Sequence, residues 1–285
     1  MIPAGTSLGE ARRIAADRLA EAGIDEAASE ARLLLRLATG RDPALPGAAA
    51  DSCLDADEAA SASTMVARRL AREPVARIIG TGAFHGLDLA LNAACLIPRD
   101  DTEALVAAAL DLLPARGPAR ILDLGVGPGT VLLALLSERP EATGLGIDLS
   151  AEALDAARDN ARTHGLADRA VFAQGCWTEG LAASYDLIVS NPPYIPAADC
   201  DRLAPEVALH DPRLALDGGA DGLDAYRAVF TGAGQVLNPG GCVAVEIGIG
   251  QAPDVARIAR ACGFRLARLV SDLAGIPRAL VFTGR

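Results

Sequence analysis

Aromatic residues are scarce in this 285-residue chain, at 3% of the total, and Trp177 is the only tryptophan. Alanine and leucine must therefore fill most of the core, within a composition that is 51% hydrophobic and 22% charged, ordinary for a soluble globular protein. No apolar run reaches the roughly 18 residues of a membrane span. The N-terminal stretch carries Glu10, Arg12, Arg13 and Asp17 where a secretion signal needs an apolar segment. A cytoplasmic protein with no membrane partner is the expectation. The six cysteines, at positions 53, 95, 176, 200, 242 and 262, form no C-x-x-C pair. That pattern speaks against a disulfide framework or zinc site and predicts reduced, mostly core thiols. The histidines, at 85, 164 and 210, are equally dispersed; no metal site is expected, and each is read as structural. Basic residues are outnumbered, 26 against 37 acids, for a net charge of −11. A protein that grips nucleic acid by its phosphates usually has a basic footprint. Only local groups such as Arg68, Arg69 and Arg72 offer one, so nucleic acid is not expected as the main partner.

What the chain does contain falls into three stretches. Residues 1–73 read as a small helical bundle. Ser7 and Glu10 have the spacing of a capping box, and Leu8, Ala11, Ala15 and Leu19 form an apolar stripe that lasts until Gly23. A second helix covers 26–38, with Leu33, Leu34, Leu35 and Leu37, and stops at Gly40; a loop over 41–50 leads to a third helix over about 55–72. Residues 74–98 switch to strand patterns at 75–80 and 87–92 around Phe84-His85-Gly86, the signature of a hairpin linker. A helix over about 102–113 follows.

Residues 99–285 otherwise alternate strand and helix. Strands are expected at 120–124, 143–148, 170–173, 186–190, 242–247, 265–270 and 279–283, and helices at 130–138, 151–164, 223–236 and 252–262. Repeated strand–helix units imply a mostly parallel sheet with helices on both faces, and such sheets bind ligands at the carboxyl ends of their strands.

Two motifs sit at those ends. The first strand runs into Asp123-Leu124-Gly125-Val126-Gly127-Pro128-Gly129-Thr130, where alternate glycines permit a tight turn and let backbone approach a ligand. The third glycine comes one residue too early for the dinucleotide fingerprint G-x-G-x-x-G, which suits a ligand with no pyrophosphate to cradle. Asp148 ends the next strand and is placed to accept the hydroxyls of a ribose. The second motif, Asn191-Pro192-Pro193-Tyr194, follows the apolar run 185–190. Neither proline donates an N–H, and Asn191, preceding a proline, is held extended. The Asn191 side-chain oxygen and a neighbouring backbone oxygen can each accept one hydrogen of a planar NH2 group, with Tyr194 over its face.

Together these residues resemble the class I S-adenosylmethionine-dependent methyltransferases. Asn191-Pro192-Pro193-Tyr194 looks like the signature of those that methylate amide or exocyclic amine nitrogens. Glu30-Ala31-Arg32-Leu33-Leu34-Leu35, Pro74-Val75-Ala76-Arg77-Ile78-Ile79-Gly80, Phe84-His85-Gly86-Leu87, Leu96-Ile97-Pro98-Arg99-Asp100-Asp101-Thr102-Glu103 and the stretch 214–223 extend the resemblance to the HemK/PrmC family of release-factor glutamine methyltransferases. The resemblance implies an α/β, Rossmann-like fold with a mostly parallel seven-stranded sheet. It implies S-adenosyl-L-methionine as cofactor, held by Gly125, Val126, Gly127, Pro128 and Gly129, with Asp148 on its ribose and Trp177 and Asn191 against it. It further implies that Asn191, Pro192, Pro193 and Tyr194 hold the substrate glutamine, with Asn191, Pro192 and Tyr194 as catalytic residues, and that peptide chain release factors are the partners. The 1–73 bundle, which carries no catalytic residue, reads either as the module that recognises them or as a stabiliser of the catalytic domain. Trp177 reads equally as a loop residue filling the core. The chain departs from the family wording at Val126, Pro128 and Asp100, and in Leu273-Ala274-Gly275-Ile276-Pro277-Arg278.

Lesser candidates complete the reading. Asp186 is taken as a strand-edge acid, Glu246 as a pocket-lining acid at the end of a strand, and Arg99 with Glu103 as an ion pair across a helix start, with contact to substrate as the alternative. Competing functions are methylation of a ribosomal-protein glutamine, methylation of adenine in DNA, and a non-catalytic scaffold that retains the fold.

Overall fold

The computed structural model describes residues 1–43, 51–182 and 184–284, in two compact units: 1–80 with 205–210, and 81–204 with 211–285. Most of the loop expected at 41–50 lies outside the described residues.

In the first unit, α1 (Leu8–Glu21), α2 (Ala27–Thr39) and α3 (Ala56–Leu70) form the bundle. The stripe Leu8, Ala11, Ala15 and Leu19 is buried as its spacing predicts. Ser7 accepts the Glu10 N–H, but the reciprocal capping box occurs at Asp55 and Glu58. Of the four leucines in α2, Leu34 and Leu35 are buried while Leu33 and Leu37 face solvent, because Ala27 and Ala31 complete the inward face.

The strand expected at 75–80 is instead a one-turn helix, α4 (Val75–Ile79), closed by bonds from Arg77 and Ile78 to the Pro74 carbonyl. The β-branched run suggested a strand. The helical period wins because it turns Val75 and Ile78 together into the bundle core.

The basic group is not a free patch. Arg68 binds Glu73 through two bonds, and Arg72 reaches Glu206 at 3.3 Å. Arg69, 5% exposed, meets Glu30 at 2.7 Å and Glu206 at 3.1 Å.

The second unit opens with an antiparallel hairpin, β1 (Thr81–Phe84) and β2 (Leu87–Ala90). His85 and Gly86 at its tip both have positive φ, as a tight two-residue turn requires. The main sheet comprises β3 (Ala119–Leu124), β4 (Ala142–Asp148), β5 (Ala170–Gln174), β6 (Tyr185–Ser190), β7 (Leu237–Glu246), β8 (Arg265–Ser271) and β9 (Pro277–Thr283). Its order is β5-β4-β3-β6-β7-β9-β8, parallel from β5 to β7, with β9 antiparallel to both neighbours. Between them run α5 (Glu103–Leu110), α6 (Thr130–Glu138), α7 (Ala151–Thr163), α8 (Asp224–Val236) and α9 (Ala252–Ala261), with a short 3-10 turn (Asp100–Thr102) before α5.

Strand residues alternate between two cores. Ile121, Leu187, Val189 and Ala244 face one, with α5 and α6; Leu122, Leu124, Ile188, Val243 and Val245 face the other, with α8 and α9. Three of the five phenylalanines cluster in the second core, where Phe230 packs on Phe264 and Phe282 at 5.5 and 4.9 Å. Only Cys95 and Cys200 are fully buried, so the mostly core thiols expected are two; all six cysteines are free. Among the described residues no helix is long and apolar enough to cross a membrane.

Candidate active site

Strand order reverses between β3 and β6, and a cavity of about 760 Å3 opens at the carboxyl ends of the strands there. The turn after β3 forms one wall. Gly125, Gly127 and Gly129 all have positive φ, a conformation that L side chains resist. The Ile147 carbonyl accepts from Gly125 and Val126, and the Pro128 carbonyl from the buried Asn160, whose other bonds go to Ala90 on β2. Asp148, at the end of β4, accepts from Gly127 N at 2.8 Å and Ser150 N at 2.9 Å. A carboxylate so held still has lone pairs for hydroxyl donors.

Of the residues singled out from sequence, the cavity wall contains Arg99, Gly125, Val126, Gly127, Pro128, Asp148, Trp177, Asn191 and Pro193. Gly129, Pro192 and Tyr194 lie outside it. Gly129 is the entry to α6, where an added Cβ would stand 2.7 Å from Leu133. Pro192 is buried. Trp177 lines the cavity and also packs on the second core, so both of its readings have a physical basis.

Asn191 follows β6, and its Nδ2 donates to Thr102 Oγ1 at 3.2 Å. The backbone around it is clamped. Ser190 Oγ donates to the Leu124 carbonyl at 2.6 Å, and Ile195 exchanges bonds with Leu216 and Gly218. Gly218 sits so close that a Cβ would come 2.7 Å from the Pro193 oxygen and 2.9 Å from Tyr194 Cα. The Tyr194 hydroxyl donates to Glu246 Oε1 at 3.3 Å, and burial pushes that phenol's pKa upward.

Glu246 therefore lies behind the tetrapeptide and not in the wall of this cavity, contrary to expectation. It is 1% exposed, and burial raises its carboxyl to about 7 against the Thr102 and Tyr194 hydroxyls that hold it down. Arg99 and Glu103 do not pair. Arg99 binds Asp211 at 2.6 Å, and Glu103 binds His85 at 2.8 Å, because the 3-10 turn between them points the two side chains to different partners. Asp186 is the strand-edge acid expected, accepting from Arg120 N and Asn238. His164 and His210 meet the carbonyls of Asp88 and Ala71, in keeping with structural roles.

Asp123 and Thr102 are among the wall residues to which the sequence assigned no role. Asp123 is 1% exposed, accepts from Leu132 N at 3.1 Å, and is raised to about 7 by burial and by the charge of Asp148. An acid one residue before the end of the strand that feeds a glycine turn was the available signal. Among the described residues no group of three metal-ligating side chains forms.

Two acids at adjacent strand ends, a glycine wall open to a ligand and an acceptor amide across the cavity suit a polyhydroxylated, partly cationic ligand beside an amide substrate. On a sheet of this strand order, that chemistry is the mark of the class I methyltransferases. The solved methyltransferase of Pyrococcus furiosus shares the fold, with a TM-score of 0.55 over 78% of this chain and 100% of its own, at 18% identity. Family models for the PrmC N-terminal domain and the methyltransferase small domain match residues 10–80 and 100–210. The release factor glutamine methyltransferase of Bradyrhizobium diazoefficiens is 48% identical over 280 residues, 97% of this chain and 94% of its own. That of Rhodospirillum rubrum is 48% identical over 264 residues, 93% of this chain and 81% of its own. The chain belongs to the release factor glutamine methyltransferase family.

Proposed function

We propose that this protein methylates the side-chain amide nitrogen of the glutamine in the Gly-Gly-Gln motif of peptide chain release factors, in the cytoplasm. S-adenosyl-L-methionine, when bound, supplies the methyl group as an electrophile on a sulfonium. The residues present fit that cofactor. Around Gly125 and Gly127 nothing stands within 4 Å of where a Cβ would be, Asp148 offers acceptors for ribose hydroxyls, and buried Asp123 suits a cationic group. Val126, Pro128 and Trp177 complete that side of the cavity, while Gly129 shapes the turn.

Asn191 carries the reading. Its Nδ2 is engaged by Thr102, so Oδ1 is the atom left to accept a hydrogen from the substrate amide. The Pro192 backbone oxygen is the second acceptor, and Pro193 and Tyr194 keep the segment rigid and shaped for the glutamine side chain. An amide nitrogen is a poor nucleophile because its lone pair is delocalised. Two acceptors orient it and stabilise the positive charge that develops as its new bond forms; positioning of this kind can lower a barrier by about 7 kcal/mol. The proton leaves only after transfer, when the nitrogen has become acidic, so no early base is needed.

The bundle over residues 1–73 is the proposed recognition module for the release factor. Its arginine group is neutralised by Glu30, Glu73 and Glu206, and with the net charge of −11 this weighs against a nucleic-acid substrate.

The test is transfer of a labelled methyl group from the donor to a purified bacterial release factor, mapped by mass spectrometry. One methyl on the Gly-Gly-Gln glutamine is expected. Label on a ribosomal protein, or on none, would overturn the assignment. Asn191→Ala should abolish transfer while donor binding, measured by calorimetry, persists.

A further inference from the structure

We propose that Ser190 is a positioning residue that holds the acceptor Asn191 at a fixed distance from the glycine turn; the proposal rests on the functional reading above. Methyl transfer needs more than a donor site and an acceptor site. The reacting atoms must stand about 3–3.5 Å apart and in line, and a misplacement of about 1 Å can cost about 100-fold in rate. Some contact must therefore set the spacing between the two halves of the cavity.

The sheet's own ladder stops just short of that task. β3 and β6 are parallel neighbours, paired at Ile121 with Leu187, Leu122 with Ile188 and Asp123 with Val189, and their pairing ends there. Leu124 still pairs with Ile147 on β4, and Ser190 with Val245 on β7. Each strand keeps its outer neighbour for one residue after losing its inner one. The two chains part because β3 leads into α6 on one face of the sheet, while β6 leads towards α8 on the other.

The Ser190 side chain bridges the parting. Its Oγ donates to the Leu124 carbonyl at 2.6 Å, at the short end of the range for a hydroxyl donor. A side-chain bond thus stands where the next backbone rung would have been. The two bonded residues immediately precede Gly125, where the donor turn begins, and Asn191, which grips the substrate amide. Both are fully buried, so water does not compete for the bond.

The residue type points the same way. Ser190 falls in step with Ile188, on the face of β6 that packs in the second core. An apolar side chain would suit that core better, since burying a hydroxyl costs free energy unless it is bonded. The hydroxyl is therefore there for the bond it makes.

Each half of the site has anchors of its own. The Ile147 carbonyl and Asn160 hold the glycine turn. Thr102 and Gln251 hold Asn191 and Tyr194, and Ile195 is bonded to Leu216 and Gly218. Loss of the Ser190 hydroxyl should leave both halves formed and alter only their spacing, a defect in kcat rather than in binding.

Ser190→Ala removes the strut without adding bulk. In the release-factor assay S190A should lose about 100-fold in kcat, with KM for the release factor and calorimetric Kd for S-adenosylhomocysteine within about twofold of wild type. Ser190→Thr keeps the hydroxyl on a residue suited to strands and should be at least about tenfold faster than S190A. An S190A kcat within about fivefold of wild type, a loss accounted for by weaker binding of either ligand, or an S190T no faster than S190A would overturn the proposal.

A spectrum recorded without substrate checks the bond itself. In protein labelled at the leucine carbonyl carbon and the glycine nitrogen, the signal of the Leu124–Gly125 peptide should shift in S190A and stay near wild type in S190T. A signal unmoved in S190A also overturns the proposal. A wild-type protein that labels no release factor would overturn the functional reading instead, so the two claims fail separately.

Discussion

Gln251 Nε2 donates to the Tyr194 backbone oxygen at 2.9 Å, while Gln251 Oε1 accepts from Gly248 N at 3.0 Å. One side chain at the start of α9 thus ties the end of Asn191-Pro192-Pro193-Tyr194 to the loop after β7. Gln251→Ala leaves the Tyr194 and Gly222 carbonyls and the Gly248 N–H short of a partner. A loss of about 2 kcal/mol in urea unfolding is expected, with kcat falling about tenfold as the tetrapeptide loosens. Unchanged kcat would show that the clamp is not needed for positioning.

Gly218 sets the same segment from the opposite side. Gly218→Ala would push a methyl group to 2.7 Å from the Pro193 oxygen, a backbone atom that cannot swing aside. Transfer to the release factor should fall by about 10- to 100-fold, while binding of S-adenosylhomocysteine at the glycine turn stays near wild type. Equal losses of both would place Gly218 in the general stability of the domain.

Burial raises Asp123 and Glu246 from 3.8 and 4.5 to about 7. Each binds its proton more tightly folded than unfolded. The stability this contributes is complete below about pH 4 and is lost as pH rises through about 7. Asp217 and Asp272 are held below the usual carboxylate range, by bonds from Gly219 N and Arg278 respectively, and titrate in more acid solution. The Tm of the ligand-free protein should therefore decline between pH 5 and 8, and Asp123→Asn should flatten part of the slope. A Tm that climbs across this interval would refute the assignment.

Arg69 stands between Glu30 and Glu206 with only 5% of its surface exposed. Arg69→Ala would leave two carboxylates facing each other without their shared cation. Breaking a buried pair in this way costs about 3 kcal/mol, readable by chemical denaturation. Arg72→Ala, at a more exposed site, should cost less than 1 kcal/mol. Equal effects would mean that burial of Arg69 does not set its importance.

The features legible in the chain are those carried by short-range pattern. Strands at 120–124 and 186–190 showed in their apolar runs, while which core each side chain faces came from the packing. Glycines at 125, 127 and 129 marked a turn, because only they take its φ without strain. Residues 75–80 misled because a β-branched run fits a strand, while burial of Ile78 in the bundle favoured one helical turn. Arg68, Arg69 and Arg72 resembled a patch because two of the acids that neutralise them, Glu30 and Glu206, are remote in sequence.

By its own order of residues the chain determined an α/β sheet with a helical N-terminal stretch, a glycine turn followed by an acid, and an asparagine held before two prolines. Each depends on backbone propensity and spacing within a few residues, which a linear string contains. Tertiary structure alone decided what the asparagine can do. Thr102 is 89 residues from Asn191, and Glu246 is 52 residues from Tyr194. Side-chain polarity is set by the nearest partner in space, and folding chooses that partner from anywhere in the chain.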